Sequence, residues 1–248
     1  MSRTDHFSGV AKEYAAFRPT YPDALFSYVA GLPRRRRRAW DCGAGSGQAA
    51  HGLLPHFSSV IATDISRKLL ASAPMHAGTH RAAASAERCP LAGASVDLVV
   101  VAQALHWIDL PPFYAEVRRV VVPGGAVVVW SYDLAVLGEP GLDRLFREFS
   151  EGTVGEYWPP ERRLVNDRYR GIPFPFDEVV VPEFSMEADW SLDELLGYVG
   201  TWSAVSRYRA RVGDDPVPSL AGHLEPPWGK RNAPRRIRWP LAMRAGRV

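Results

Sequence analysis

Three glycines at alternate positions, Gly43, Gly45 and Gly47, follow an acid in the run Trp40-Asp41-Cys42-Gly43-Ala44-Gly45-Ser46-Gly47. Residues of this kind bring backbone against a ligand, because a glycine has no Cβ and takes positive φ at little cost. Where an apolar strand turns into a helix, such a loop leaves room for a nucleoside at the carboxyl end of the strand. A tight strand-to-helix turn with no ligand is one alternative. A dinucleotide site is another, since nicotinamide enzymes use the related GxGxxG pattern. Here the spacing is GxGxG, and Gln48 stands where the last dinucleotide glycine would fall.

A second acid, Asp64, ends the apolar run Val60-Ile61-Ala62-Thr63. A carboxylate in that position, about 20 residues after the loop, suits hydrogen bonds from both hydroxyls of a ribose. Alone it would read as the cap of a helix starting at Ser66. Beside the glycine loop it reads as a ligand-binding acid, with Ile65 next to it in the same candidate site.

Holding these residues requires a sheet with helices packed on it. From Ala39 to Trp130 short apolar runs alternate with helical stretches, the pattern of a parallel sheet covered by helices. Strands are expected at Ala39–Cys42, Val60–Asp64, near Arg81–Ser85, at Val96–Gln103 and at Ala126–Trp130, and helices at Gly47–Pro55, Ser66–Ala73 and Pro112–Val120. Pro111-Pro112 suits a helix start, and Pro123-Gly124-Gly125 suits an element end. Glu178–Trp190 and Arg235–Arg244 have strand composition and would pair antiparallel at the sheet edge, completing seven strands. The expected fold is α/β, a Rossmann-like, mostly parallel seven-stranded sheet with helices on both faces and a mainly helical cap. Its parts are a lid and first helix over 1–38, a core over 39–132, cap segments over 133–175 and 191–234, and closing strands over 176–190 and 235–248.

Composition narrows the class. The 248 residues are 46% hydrophobic and 23% charged, an ordinary globular balance. No apolar run approaches the roughly 20 residues of a membrane span, and Met1–Val10 has no apolar signal core, so a cytoplasmic protein is expected. Two cysteines, Cys42 and Cys89, are too few for a disulfide framework or a CxxC metal site, and no metal is expected. The net charge is +3, and arginine carries it: Lys12, Lys68 and Lys230 are the only lysines, a usage like that of high-GC bacteria. The run Arg34–Arg38 could contact phosphate, but a solvated helix end before a strand is the favoured explanation, and nucleic acid is not the expected partner.

The segment around Gly43 resembles motif I of the class I S-adenosylmethionine-dependent methyltransferases. The resemblance implies S-adenosylmethionine as cofactor, with Asp41, Gly43, Ala44 and Gly45 around its methionyl part and Asp64 and Ile65 at its nucleoside. Ser85-Ala86-Glu87-Arg88-Cys89-Pro90-Leu91 is similar to the family's adenine-binding turn, which gives Ala86 and Glu87 the adenine edge. The N-terminal string Asp5-His6-Phe7-Ser8-Gly9-Val10-Ala11, with Tyr14 and Phe17-Arg18-Pro19-Thr20-Tyr21-Pro22, resembles the start of a bacterial group related to trans-aconitate methyltransferase. There it implies a lid, with Tyr14 and Arg18 on the cofactor's carboxylate, a role that suits a guanidinium fork. Gln103-Ala104-Leu105-His106-Trp107 and Arg119-Val120-Val121-Val122-Pro123-Gly124-Gly125 resemble the same group, and place Gln103 at the cofactor and His106 on the acceptor side.

Methyl transfer asks mainly for alignment and a dry pocket. A carboxylate acceptor needs no base; a hydroxyl or amine does, and His106 is the nominee. Trp107, Trp130, Tyr132, Trp202 and Tyr208, with Tyr157 and Trp158, would shape the acceptor pocket, where core packing is the competing explanation. The expected acceptor is a small molecule reacting through oxygen, such as a carboxylic acid. An RNA or protein methyltransferase using the arginine-rich Lys230–Arg247 tail, a cofactor-binding protein without transferase activity, and a nicotinamide oxidoreductase are the rivals. The sequence does not determine an oligomeric state.

Overall fold

A computed structural model describes residues 18–72 and 76–248. Its centre is an eight-stranded sheet: β1 (Arg38–Cys42), β2 (Ser59–Asp64), β3 (Thr79–Ala83), β4 (Val96–Ala102), β5 (Val121–Tyr132), β6 (Asp177–Val179), β7 (Ser185–Trp190) and β8 (Arg235–Arg247). The order is β3-β2-β1-β4-β5-β8-β6, with β7 also on β8. Strands β1 to β5 run parallel, and β8 runs antiparallel to β5, β6 and β7.

Central strands must be apolar on both faces. β4 is buried from Val96 through Val101. Its residues alternate between two cores, as a period of two requires. Leu98 and Val100 join Val60, Ala62 and Val128 on one face, while Val99 and Val101 join Trp40, Val127 and Val129 on the other. Helices α1 (Asp23–Ala30) and α2 (Gln48–Leu53) cover the first face, and α4 (Leu110–Val120) covers the second through Phe113, Val117 and Val120. Between them in the chain lies α3 (Arg67–Ser72).

After β5 the chain turns helical: α5 (Pro140–Glu148), α6 (Arg162–Asn166), then, beyond β7, α7 (Leu192–Gly200), α8 (Ser203–Val212) and α9 (Val217–Trp228). A capping box of Ser191 and Glu194 starts α7. Rings of Phe146, Phe149, Trp158 and Tyr198 meet around Trp202 and tie these segments together.

Several sequence expectations are corrected. The sheet has eight strands, because the Glu178–Trp190 run divides into β6 and β7, which pair with opposite ends of the long β8. β3 lies two residues earlier than expected. β5 begins at Val121, with Pro123-Gly124-Gly125 inside it: the pairing runs from Val96↔Val121 to Leu98↔Ala126, and the extra residues bulge. Only glycine fits at Gly125, where a Cβ would come within 2.7 Å of Asp97 O. Arg34–Arg38 is no helix end. α1 stops at Ala30, residues 34–37 are an exposed connection and Arg38 opens β1; the Arg37 and Arg38 amides donate to Asp97 Oδ2 at 2.9 and 2.8 Å. Among the described residues no helix is long and apolar enough to cross a membrane.

Candidate active site

The strand order reverses between β1 and β4, which opens a crevice at the carboxyl ends of the strands. A cavity of about 930 Å³ occupies it. Gly43, Gly45 and Gly47 take φ of 72°, 54° and 83°, so the loop curls over the end of β1. Gly43 N and Ala44 N both donate to Thr63 O, at 2.8 and 2.9 Å. Trp40 Nε1 donates to Thr63 Oγ1 at 2.8 Å, so one residue of β2 fixes both β1 and the loop that leaves it.

Asp64 ties loop to helix. Its Oδ2 accepts from Gly45 N at 2.8 Å, and its Oδ1 accepts from Ser66 N at 2.7 Å. The carboxylate lines the cavity beside Ile65, whose 61% exposed side chain offers an apolar face to a flat aromatic base. Ala86 and Glu87 line the same side. Glu87 is held by Ser85 Oγ and by Asp109 N, the latter at 2.9 Å. The following turn is fastened to α4. Glu116 accepts from Cys89 N at 2.7 Å, and Arg119 donates to Leu91 O at 2.8 Å. The bond to Arg119 holds the Glu116 carboxyl down at about 2.

Asp41 is fully buried and does not line the cavity. Neither of its oxygens has a hydrogen-bond partner of ordinary geometry among the described residues. Burial pushes its pKa up to about 7; the nearby Ala50 backbone amide offsets part of this, and the negative charge of Asp64 adds to it.

Opposite the loop, β4 ends at Ala102 and Gln103 takes φ 54°. Its side chain exchanges two hydrogen bonds with the Tyr132 backbone, so it serves the wall of the crevice as well as its lining. A short turn, Leu105–Trp107, then carries His106 and Trp107 into the lining. His106 Nδ1 lies 2.8 Å from the Tyr169 hydroxyl. Burial, reinforced by the nearby Arg162 charge, pushes the imidazole pKa down to about 3. His106 is therefore neutral at physiological pH and a poor proton acceptor, which argues against the general-base role read from the sequence.

The far wall is aromatic and cationic. Tyr132, Trp158, Tyr198 and Trp202 line it with Arg18 and Arg162. Arg18 Nη1 donates to the Tyr132 hydroxyl at 2.9 Å, and its guanidinium sits 5.2 Å from the Tyr198 ring centre. Arg162 pairs with Asp133 and stacks 4.5 Å from the Trp158 ring.

Of the residues nominated from sequence, Arg18, Gly43, Ala44, Gly45, Asp64, Ile65, Ala86, Glu87, Gln103, His106, Trp107, Tyr132 and Trp202 line this cavity. Trp130 does not. It lies two residues deeper in β5 than Tyr132, fully buried beneath Tyr21 and Phe26, at centroid distances of 5.3 and 6.4 Å. Tyr208 does not either, because its ring packs on Tyr157 at 5.0 Å outside the lining. Tyr14 lies outside the described residues. Sequence reasoning missed Arg162, Tyr169 and Tyr198, none of which stands in a recognisable spacing. For Glu116 the i,i+3 pairing with Arg119 was a usable signal.

Glycine loop, ribose-side acid, exposed isoleucine and adenine-side turn together suit an adenosyl cofactor in the half of the cavity nearest β1 and β2. A methyltransferase-domain family model matches residues 40–129. A Dictyostelium discoideum protein named as a methyltransferase is 32% identical over 87% of this chain and 83% of its own length. A solved structure from Anaeromyxobacter dehalogenans, named as a type II methyltransferase, is 43% identical, covers 93% of this chain and 98% of its own, and superposes with a TM-score of 0.87. The malonyl-[acyl-carrier protein] O-methyltransferase of Enterobacter lignolyticus is 35% identical over 52% of this chain and 51% of its own length.

Proposed function

We propose that this chain, which belongs to the class I S-adenosylmethionine-dependent methyltransferases, methylates a small molecule on a carboxylate oxygen. Bound in the crevice, the cofactor supplies an activated methyl group on a sulfonium. The protein's own residues bind and orient. In this reading Gly43 to Gly45 and Asp64 receive the methionyl and ribose parts, while Ile65, Ala86 and Glu87 receive the adenine.

The acceptor belongs to the other half. A cavity of about 930 Å³ is at the upper end of the usual range for small-molecule sites, which leaves space for a second compact ligand. The rings of Trp158, Tyr198 and Trp202 make this half apolar, and Arg18, expected from the sequence on the cofactor's carboxylate, in this reading favours an acceptor anion, while Arg162 shares its charge with Asp133. The Arg18 guanidinium in the cavity wall carries the choice of nucleophile, and the depressed pKa of His106 agrees with it. An alcohol or amine must lose a proton, and an imidazole held at about 3 takes it up poorly, whereas a carboxylate arrives already ionised. Oxygen methylation in the Enterobacter lignolyticus relative supports the same choice.

The test is a panel of small mono-, di- and tricarboxylic acids, phenols and amines, incubated with the protein and S-adenosylmethionine, with release of S-adenosylhomocysteine as readout. Turnover of an acid to its methyl ester is expected. Turnover confined to phenols or amines overturns the carboxylate reading.

A further inference from the structure

Tyr169 is 1% exposed and does not itself line the cavity, yet its hydroxyl meets a ring nitrogen of His106, which does. The backbone reaches this placement at a cost. Arg168 and Tyr169 are consecutive non-glycine residues at φ 56° and 58°. A left-handed backbone is strained for any residue that carries a Cβ. Such a pair persists only where its surroundings hold it, and strain of this kind concentrates at functional sites. Here Tyr169 N donates to Leu164 O at 2.9 Å. Arg244, on β8, donates to Tyr169 O at 3.2 Å and is paired with Glu178.

A phenol has one proton to give and two lone-pair positions. The Tyr169 oxygen is faced by the backbone amide of His106, the Ser131 hydroxyl and the backbone amide of Leu105. The two amides can only donate, so with them on its lone pairs the phenol turns its own proton to the imidazole 2.8 Å away. The hydrogen bond made by one ring nitrogen of a histidine decides the state of the other. We infer that Tyr169 is a positioning residue: by donating to His106 Nδ1 it fixes the Nε2–H tautomer, so the imidazole offers an N–H donor to the acceptor oxygen. A neutral donor orients that oxygen without drawing off its negative charge as a cation would. The identity of the receiving oxygen rests on the carboxylate reading above; the tautomer does not.

The experiment uses full-length protein with ¹⁵N-labelled histidine, saturated with S-adenosylhomocysteine, and His106→Gln to assign the His106 ring signals. In wild type the expected state is a single Nε2–H tautomer with Nδ1 hydrogen-bonded. In Tyr169→Phe the Nδ1 signal moves toward that of a lone pair without a donor, while S-adenosylhomocysteine affinity stays within twofold, which shows that the variant is folded. With an acid that the panel identifies, kcat falls about tenfold and the KM for S-adenosylmethionine is unchanged, as loss of one oriented hydrogen bond implies. An Nδ1–H tautomer in wild type, or an Nδ1 signal unmoved in Tyr169→Phe, overturns the proposal. Failure of the acid panel alone leaves the ring signals to decide, so the two readings fail separately.

Discussion

Gln103 and Tyr132 are joined side chain to backbone across the mouth of the crevice: Gln103 Nε2 donates to Tyr132 O at 3.1 Å, and Tyr132 N donates to Gln103 Oε1 at 2.8 Å. The amide thus supplies one more rung to the β4–β5 ladder just beyond the end of β4. It does so from φ 54°, a conformation that glycine takes more readily. Two variants separate these effects. Gln103→Ala loses both bonds and keeps the strain, and its stability should fall by about 1–3 kcal/mol. Gln103→Gly loses the same bonds but relieves the strain, recovering about 1 kcal/mol. Urea unfolding of both checks the order.

The sequence made the cofactor half of this crevice legible because that half is built from chain neighbours. Gly43, Gly45 and Asp64 are one strand-helix-strand unit, and their spacing alone implies their proximity. The acceptor half is assembled from distant segments, with His106 meeting Tyr169 across 63 positions and Arg18 meeting Tyr132 across 114. No local pattern announces such pairs. Trp130 shows the same limit from the other side. Alternation correctly gives it the same face as Tyr132, but depth along β5, set by Tyr21 and Phe26, buries it. Length of strand pairing was equally hidden, because β6 and β7 are distinguished only by where β8 meets them.

Asp64 holds two backbone amides, and in the proposed site its carboxylate also receives the ribose. Replacing it with alanine removes both services. Calorimetric titration should show S-adenosylhomocysteine bound about 100-fold more weakly by Asp64→Ala. Asp64→Asn keeps the shape but loses the charge and sets its NH2 against one of the two backbone donors, so it should lose about tenfold, the effect of one lost hydrogen bond. Equal affinity in wild type and Asp64→Ala would remove Asp64 from the site.

His106, held at about 3, stays neutral across the range in which an ordinary histidine titrates. Initial rates with an active acid should therefore show no limb near pH 6.5 between pH 5 and 8. A limb at that pH, present in wild type and absent in His106→Gln, would restore the imidazole as a base.

The buried acid beneath the loop gives a stability prediction whose sign can be worked out. Asp41 binds its proton up to about pH 7 in the folded chain but only to about pH 4 when unfolded. Between those values the folded state holds more protons, so the contribution of Asp41 to stability is largest at low pH and is lost as pH rises through about 7. The slope can reach about 1.4 kcal/mol per pH unit. His106 works in the opposite sense over an overlapping window, since its folded pKa is depressed and its contribution is lost as pH falls. The informative quantity is therefore the difference between wild type and Asp41→Asn. The variant, a neutral isostere, should gain on wild type in urea unfolding as pH goes from 5 to 7.5.

Gly43 and Gly45 differ in why they are glycine, and substitution should expose the difference. Both have positive φ, so alanine at either costs about 1–2 kcal/mol in backbone strain. At Gly45 nothing lies within 4 Å of the added Cβ, whereas at Gly43 it would stand 2.7 Å from Ala104 Cβ, an overlap that must be relieved by moving the loop or the Gln103–Trp107 segment. Gly43→Ala should therefore unfold at lower urea than Gly45→Ala. Its effect on the crevice should also be wider, because Ala104 stands between Gln103 and the turn that carries His106 and Trp107 into the lining. Gly45→Ala is predicted to weaken S-adenosylhomocysteine binding without moving the His106 ring signals, since relief of the strained φ shifts Gly45 N relative to the Asp64 carboxylate that accepts from it. Gly43→Ala should weaken that binding and also shift the His106 ring signals, a response that a purely local loop defect would not produce.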